Sequence, residues 1–257
     1  TYDKYSPYPE EMNRKLVTAI ADLYFCPTEN NRENLRREGI TENVFVTGNT
    51  VIDALRTTVR ENFVFATEAL NRLPYESKKV VLVTCHRREN YGQPMEDIMS
   101  ALDHIARTHE DVVLVYPVHL SPVVQECARR HLGDIPNVLL TAPLSADEMH
   151  NLMARCYLVL TDSGGLQEEA PALGKPVLVL RRETERPEAV TAGTVKLAGV
   201  ARDGIVSMAR QLITDPAAYA AMAHAVNPYG DGSACRRIAD AILWRFGMGA
   251  RPEDFQA

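Results

Sequence analysis

The chain has 257 residues, a formal net charge of −6, and 46% hydrophobic against 24% charged side chains, enough for one large or two small packed cores. The acidic balance excludes a charge-driven nucleic-acid binder, whose footprint is a basic stripe, and no apolar run nears the ~18 residues that span a bilayer. With no secretory leader the cytoplasm is the expected compartment, and five widely spaced cysteines (Cys26, Cys85, Cys127, Cys156, Cys235) point to reduced packing residues, with no metal expected.

In chain order, residues 1–8 show no periodic pattern and begin on Thr1, so a piece of a longer protein is expected. Pro9 sits where a first-turn proline belongs, and Met12, Leu16, Ile20 and Leu23 follow at helical spacing. Strands are predicted at 23–26, 44–47, 80–84, 112–116, 138–141, 158–161 and 177–180. Several are unbroken Val/Leu/Ile runs, as expected where helices cover both faces of a parallel sheet. Between them, Thr50 can cap a helix, and Ile98, Leu102 and Ile105 mark an apolar stripe. Ser145 and Glu148 form a capping box for a helix through Cys156. A last helix, from Ser233 to about Phe246, follows the turn-rich run at 227–232. The alternation predicts an α/β fold with a doubly wound parallel sheet. Residues 1–48 hold too little for such a unit, 49–76 read as a connection, 77–226 as the sheet domain, and 227–257 as a helix and tail.

Chemistry is expected where strands end, on the ligand edge of an open α/β sheet. After 158–161 come Ser163, Gly164 and Gly165, then Glu168 and Glu169 at a helix start. Glycines admit a close ligand, free amides attract phosphate, and a carboxylate there can accept from a ribose diol. The plainer reading is a tight turn with two solvated glutamates. After 80–84 come His86, Arg87, Arg88 and Glu89: a diphosphate-neutralising cluster with one group that titrates near neutrality, or a weak Arg88–Glu89 surface pair. Arg186, before Pro187, can clamp an anion, although charge runs in loops are more often solvated. His119, after 112–116, reads first as structural. Glu10 and Glu11 read first as complements to a helix dipole.

Taken together, YSPYPEEMNR, VTGNTVIDAL, VTCHRREN, YPVHLSP, LTDSGGLQEEAPALGKPVLVLR, TERPEAVTAGTVKL and NPYGDGSA, spanning Tyr5 to Ala234, resemble the non-hydrolysing UDP-N-acetylglucosamine 2-epimerases. These have the two-Rossmann-domain glycosyltransferase-B architecture. The resemblance implies that 1–48 is the end of a first Rossmann-like domain, 77–226 the UDP-binding domain, and the last helix a crossing back onto 1–48. It implies diphosphate contacts from Ser163, Gly164 and Gly165, ribose contact from Glu169, and UDP-sugar contacts from Arg186, Leu144 and Met149. Met149 stands where relatives often carry an aromatic residue against the uracil. Glu10 and His86 are implied to be catalytic, and Arg87, Arg88, His119 and Glu11 to meet a second UDP-sugar acting as activator. No cofactor is implied, and the family is a homodimer through its first domain. That domain also carries a catalytic aspartate, a glutamate and a basic loop that these residues do not include.

The implied reaction inverts C2 by eliminating and re-adding UDP, which needs leaving-group stabilisation, two proton-moving groups and a closed cleft. Two other readings stay open: a hydrolysing epimerase or related glycosyltransferase, and a UDP-sugar-binding module without turnover.

Overall fold

The computed structural model describes residues 4–5 and 9–256, so residues 1–3 and 6–8, including part of the YSPYPEE motif, lie outside the described residues. Among the described residues there are eight strands: β1 (Tyr24–Cys26), β2 (Val44–Val46), β3 (Lys79–Thr84), β4 (Val112–Pro117), β5 (Val138–Thr141), β6 (Leu158–Thr161), β7 (Val177–Val179) and β8 (Val195–Leu197). β1 and β2 pair in parallel as a small separate sheet. The other six form one all-parallel sheet in the order β5-β4-β3-β6-β7-β8. Counted from its own first strand, this is the 3-2-1-4-5-6 order of the Rossmann fold. β8 was not anticipated. Its sequence is Val-Lys-Leu, and the lysine breaks the apolar run that marked the other strands.

The unbroken apolar runs divide by alternation. Val81, Val83, Leu114, Tyr116, Leu158 and Leu160 face one helical layer, with Ile98, Leu102 and Ile105 from the helix Gln93–Thr108 and Ile205, Ala209 and Leu212 from Arg202–Thr214. Val80, Leu82, Val113, Val115, Val159, Val177 and Val179 face the other layer, with Leu152, Met153, Leu166 and Ala170. Successive side chains point to opposite faces, and each fully buried one contributes roughly 1.5–3 kcal/mol. Ile52 and Leu55 of the helix Thr50–Thr58, with Phe65 and Leu70, join the second layer, so residues 49–76 pack on the sheet unit.

Two local expectations need correction. Asn49, not Thr50, caps Thr50–Thr58, its Oδ1 accepting from Val51 N at 3.1 Å. The first helix is only Glu10–Thr18, so Ile20 and Leu23 fall outside it, and Leu16 and Ile20 are exposed. The predicted stripe has no opposing layer here, because a two-stranded sheet is all that residues 10–46 provide. The helix Ala234–Arg245 is capped by Asp53, which accepts from Ala234 N and Cys235 N at 3.0 and 2.8 Å.

That helix and the tail reach the first segment: Trp244 meets Phe45 edge-on at 5.7 Å, and Asp254 accepts from Val46 N. Gly48, at φ +80°, lets the turn at 227–232 come close; a side chain there would meet Gly230 Cα at 3.0 Å. The cysteines are free and all but Cys235 are buried. Among the described residues no helix is long and apolar enough to cross a membrane.

Candidate active site

The strand order reverses between β3 and β6, where a doubly wound sheet opens a crevice beyond its carboxyl edge. The loops after these two strands are the ones that carry the polar motifs, and one residue ties them together. Asp162, fully buried, accepts through Oδ2 from His86 N (2.7 Å), Arg87 N (2.8 Å) and Asn90 Nδ2 (3.2 Å). Asn90 Nδ2 also donates to Leu180 O at the end of β7. Thr84 and Thr161 hydroxyls meet at 2.5 Å beneath, and Ser163 N donates to Thr161 Oγ1. A second brace is Arg181, buried, which pairs with Glu89 and holds Glu185 in a bidentate ion pair at 2.7 and 2.9 Å. That pair pulls the Glu185 carboxyl down to about 2. Glu89 is therefore committed to Arg181 rather than to Arg88, which is exposed.

At the centre sits Gly164. A Cβ added there would lie 3.7 Å from Arg87 Nη2 and 3.9 Å from Arg186 Nη2. The missing side chain thus leaves room beside two guanidiniums, a fork geometry suited to a diphosphate. The helix that follows, Leu166–Ala172, is only seven residues long, so positive charge at this seat comes chiefly from the two arginines. The loop bearing Arg186 is fixed through Thr184, whose hydroxyl donates to Gln167 Oε1 at 2.5 Å and accepts from Arg186 N at 3.0 Å.

The two glutamates have different roles. Glu168 is buried and takes hydrogen bonds from Arg186 Nε and Asn49 Nδ2, which commits both its oxygens. Glu169 faces His150, with Oε2 3.5 Å from Nε2. Burial, with Glu168 beside it, raises the Glu169 carboxyl above its ordinary range, and burial lowers the His150 imidazole. His150 is held from behind by Thr58 Oγ1 at 2.8 Å. It stands on Ala146–Arg155, the helix of Met149, and Ser145 caps that helix as predicted; Met149 and Leu144 are both partly buried against the second layer.

His119 is not isolated: its ring stacks on His86 with centroids 5.3 Å apart and planes 11° from parallel. Glu10 is exposed in the first helical turn, whereas Glu11 is buried and bonded to Arg14, which lowers its carboxyl and also bridges to Glu38. Glu11 is therefore an ion-pair member as well as a dipole complement. Among the described residues one group offers three ligand atoms to a cation: Glu96, Cys127 and His131. Arg130 already sits on its carboxylate.

Asp162, Asn90, Arg181, Gln167 and Thr184 were missed by sequence reasoning. A buried polar brace leaves no periodic signal, and only the placement of Asp162 directly after a predicted strand hinted at it.

A Rossmann-ordered sheet with arginine-bearing loops at its switch point is one half-cleft of a glycosyltransferase-B-like fold. The chain matches the UDP-N-acetylglucosamine 2-epimerase family model over residues 1–243, and it belongs to that family. It is 52% identical to the UDP-N-acetylglucosamine 2-epimerase of Bacillus subtilis over 248 residues, covering 96% of this chain and 64% of that one. The S. aureus MnaA–UDP co-structure superposes with a TM-score of 0.92 at 46% identity, covering 99% of this chain and 69% of that one. UDP-GlcNAc 2-epimerase from Neisseria meningitidis bound to UDP-GlcNAc gives a TM-score of 0.87 at 42% identity, with 95% and 67% covered. The chain spans about two thirds of the length of these relatives.

Proposed function

We propose that these residues form the UDP-binding side of a cytoplasmic epimerase that interconverts UDP-GlcNAc and UDP-ManNAc. The observation that carries this reading is the Gly164 seat between Arg87 and Arg186 at the β3/β6 switch point. The neighbours bound to UDP and to UDP-GlcNAc support it. In the reaction a base takes the C2 proton, the C2–H electron pair becomes a C1=C2 double bond, and the C1–O pair leaves with UDP. UDP then re-adds and a proton is delivered to the opposite face of C2. Arg87 and Arg186, with Ser163 and the Gly164–Gly165 backbone, stabilise the departing diphosphate. His86 and Glu10 move protons, Glu169 holds the ribose, and Leu144 and Met149 border the uracil.

A second, activating UDP-sugar would meet His119, stacked on His86, together with Arg87 and Arg88. Glu11, already paired with Arg14, would be its weakest contact. A homodimer belongs to the same reading.

The test is incubation with UDP-GlcNAc in deuterated water. Deuterium at C2 with UDP kept on the sugar supports epimerisation. Free UDP with released N-acetylmannosamine would make the protein a hydrolysing enzyme, and calorimetric UDP binding without exchange would make it a binding module.

The ribose role of Glu169 has its own expected result. A carboxyl raised by burial gains its proton at a higher pH than a free one. UDP affinity should therefore weaken as pH is lowered from neutrality through that raised range. Glu169→Gln should lower affinity at neutral pH roughly 10- to 100-fold, the worth of about 1.5–3 kcal/mol for bonds to a charged acceptor, and should flatten the pH slope. Titration calorimetry across pH decides; an unchanged slope in the variant rejects the assignment.

A further inference from the structure

The buried carboxylate that ties the two loops together has one oxygen unaccounted for. Asp162 Oδ2 takes three donors, but Oδ1 has no hydrogen-bond partner although the residue is fully buried. An ionised oxygen left so is costly, and such an atom calls for an explanation. Oδ1 faces His86 Nδ1 at 3.4 Å, while the His86 side chain is 40% exposed on the crevice side of the sheet.

We propose that Asp162 is the positioning residue that fixes His86 as its Nδ1–H tautomer, leaving Nε2 as the free, proton-accepting nitrogen. A small ring rotation closes 3.4 Å to a hydrogen bond, and the neutral ring can donate to a carboxylate only from a protonated nitrogen. Nε2, across the ring from Nδ1, is then unprotonated. When it takes a proton, the imidazolium charge that forms lies against Asp162. The partner that stacks on His86 has the opposite arrangement. His119 Nδ1 accepts from the backbone N–H of Ser121 at 3.0 Å, so that nitrogen carries no proton and the neutral His119 is Nε2–H. The stacked pair is therefore two histidines in opposite tautomers, each set by its own second partner. What the His86 proton does rests on the epimerase reading; its tautomer rests on this geometry alone.

The isosteric substitution Asp162→Asn separates structure from positioning. The asparagine carbonyl can keep the His86, Arg87 and Asn90 donors, which leaves its NH₂ facing His86 Nδ1. That nitrogen must then accept, and the ring is forced to Nε2–H. The direct readout is two-dimensional ¹⁵N–¹H correlation of the histidine-labelled full chain at alkaline pH, with the two rings assigned by His86→Gln and His119→Gln. His86 should show the Nδ1–H pattern and His119 the Nε2–H pattern in the same spectrum, and Asp162→Asn should convert His86 alone. Solvent deuterium exchange at C2 should then fall roughly 10²- to 10⁴-fold in kcat, the range of one general acid–base group, while UDP affinity and KM stay within about threefold. A wild-type His86 in the Nε2–H form, or one unmoved by Asp162→Asn, overturns the proposal. So does a variant that lowers UDP affinity as much as kcat. A chain with no exchange at all would fail the epimerase reading, and the spectra would still decide the tautomer.

Discussion

Arg186→Met is expected to destabilise the chain by about 3 kcal/mol and to remove measurable UDP binding, and the two losses should separate in a double variant. Arg186 does two jobs. Its Nη2 borders the Gly164 seat, and its Nε is bonded to Glu168, whose side chain is only 4% exposed. Removing one member of a buried ion pair leaves an uncompensated charge and costs ~3–5 kcal/mol. The Arg186 side chain is itself 34% exposed, which places this pair at the low end of that range. Asn49 Nδ2 still reaches Glu168 in the variant, and a single neutral donor does not offset a buried negative charge. Neutralising both, in Arg186→Met with Glu168→Gln, should recover most of the stability, because replacing a whole buried pair is often nearly neutral. It should recover none of the binding, since a diphosphate needs the guanidinium and not its partner. Chemical unfolding and UDP calorimetry on the two variants measure both quantities. A single variant as stable as wild type would show that the Arg186–Glu168 pair contributes no net stability. A double variant that binds UDP would show that Arg186 is a structural arginine.

The difference between what the sequence showed and what it hid follows from the kind of interaction involved. Long Val/Leu runs declare a two-sided parallel sheet because burial on both faces leaves no polar alternation, and several of the predicted strands were legible in that way. β8 escaped because a lysine interrupts its apolar residues. The glycine pair, His86 and Arg186 were legible as strand-end motifs, and the structure sets Arg87 and Arg186 beside Gly164. Local sequence could not divide labour between like residues. Glu168 and Glu169 are neighbours of one type, and only the fold shows that the first is consumed by Arg186 and Asn49 while the second faces His150. Likewise, nothing local marks Glu89 as the partner of a buried Arg181 ninety-two positions away. The first helix failed in the opposite direction. Its apolar spacing was real, but a helical stripe is buried only when a layer exists to cover it, and residues 10–46 offer two short strands.

The same logic identifies where the first segment is held to the sheet unit, and it sets the second large effect. Glu188, in the first turn of the helix Pro187–Ala192, accepts from Thr28 Oγ1 at 3.1 Å, Asn30 Nδ2 at 2.9 Å and Tyr229 OH at 3.2 Å. Two stretches far from Glu188 in sequence converge on its carboxylate. Thr28 caps the helix Glu29–Arg37 of the first segment, and Tyr229 is 2% exposed in the turn before the last helix. Glu188→Ala strands the Tyr229 hydroxyl in an apolar setting, at roughly 1–3 kcal/mol for an unsatisfied buried group, and removes two further charge-assisted bonds. A total loss of about 2–4 kcal/mol is expected, with the exposed Asn30 bond contributing least. Glu188→Gln, which keeps an acceptor in place, should lose about 1 kcal/mol. The loss should also be local. Amides of β1 and β2 should exchange with deuterium faster in Glu188→Ala, while those of β3, β4 and β6 keep their protection, because sub-global opening follows the weakest tie. Equal loss of protection across both sheets would mean that Glu188 stabilises the whole fold rather than latching one segment to it. Glu10 lies on the latched segment, and the Gly164 seat lies on the sheet unit. Loosening the latch should therefore lower turnover while leaving UDP affinity nearly unchanged, which is the opposite pattern to that of Arg186→Met.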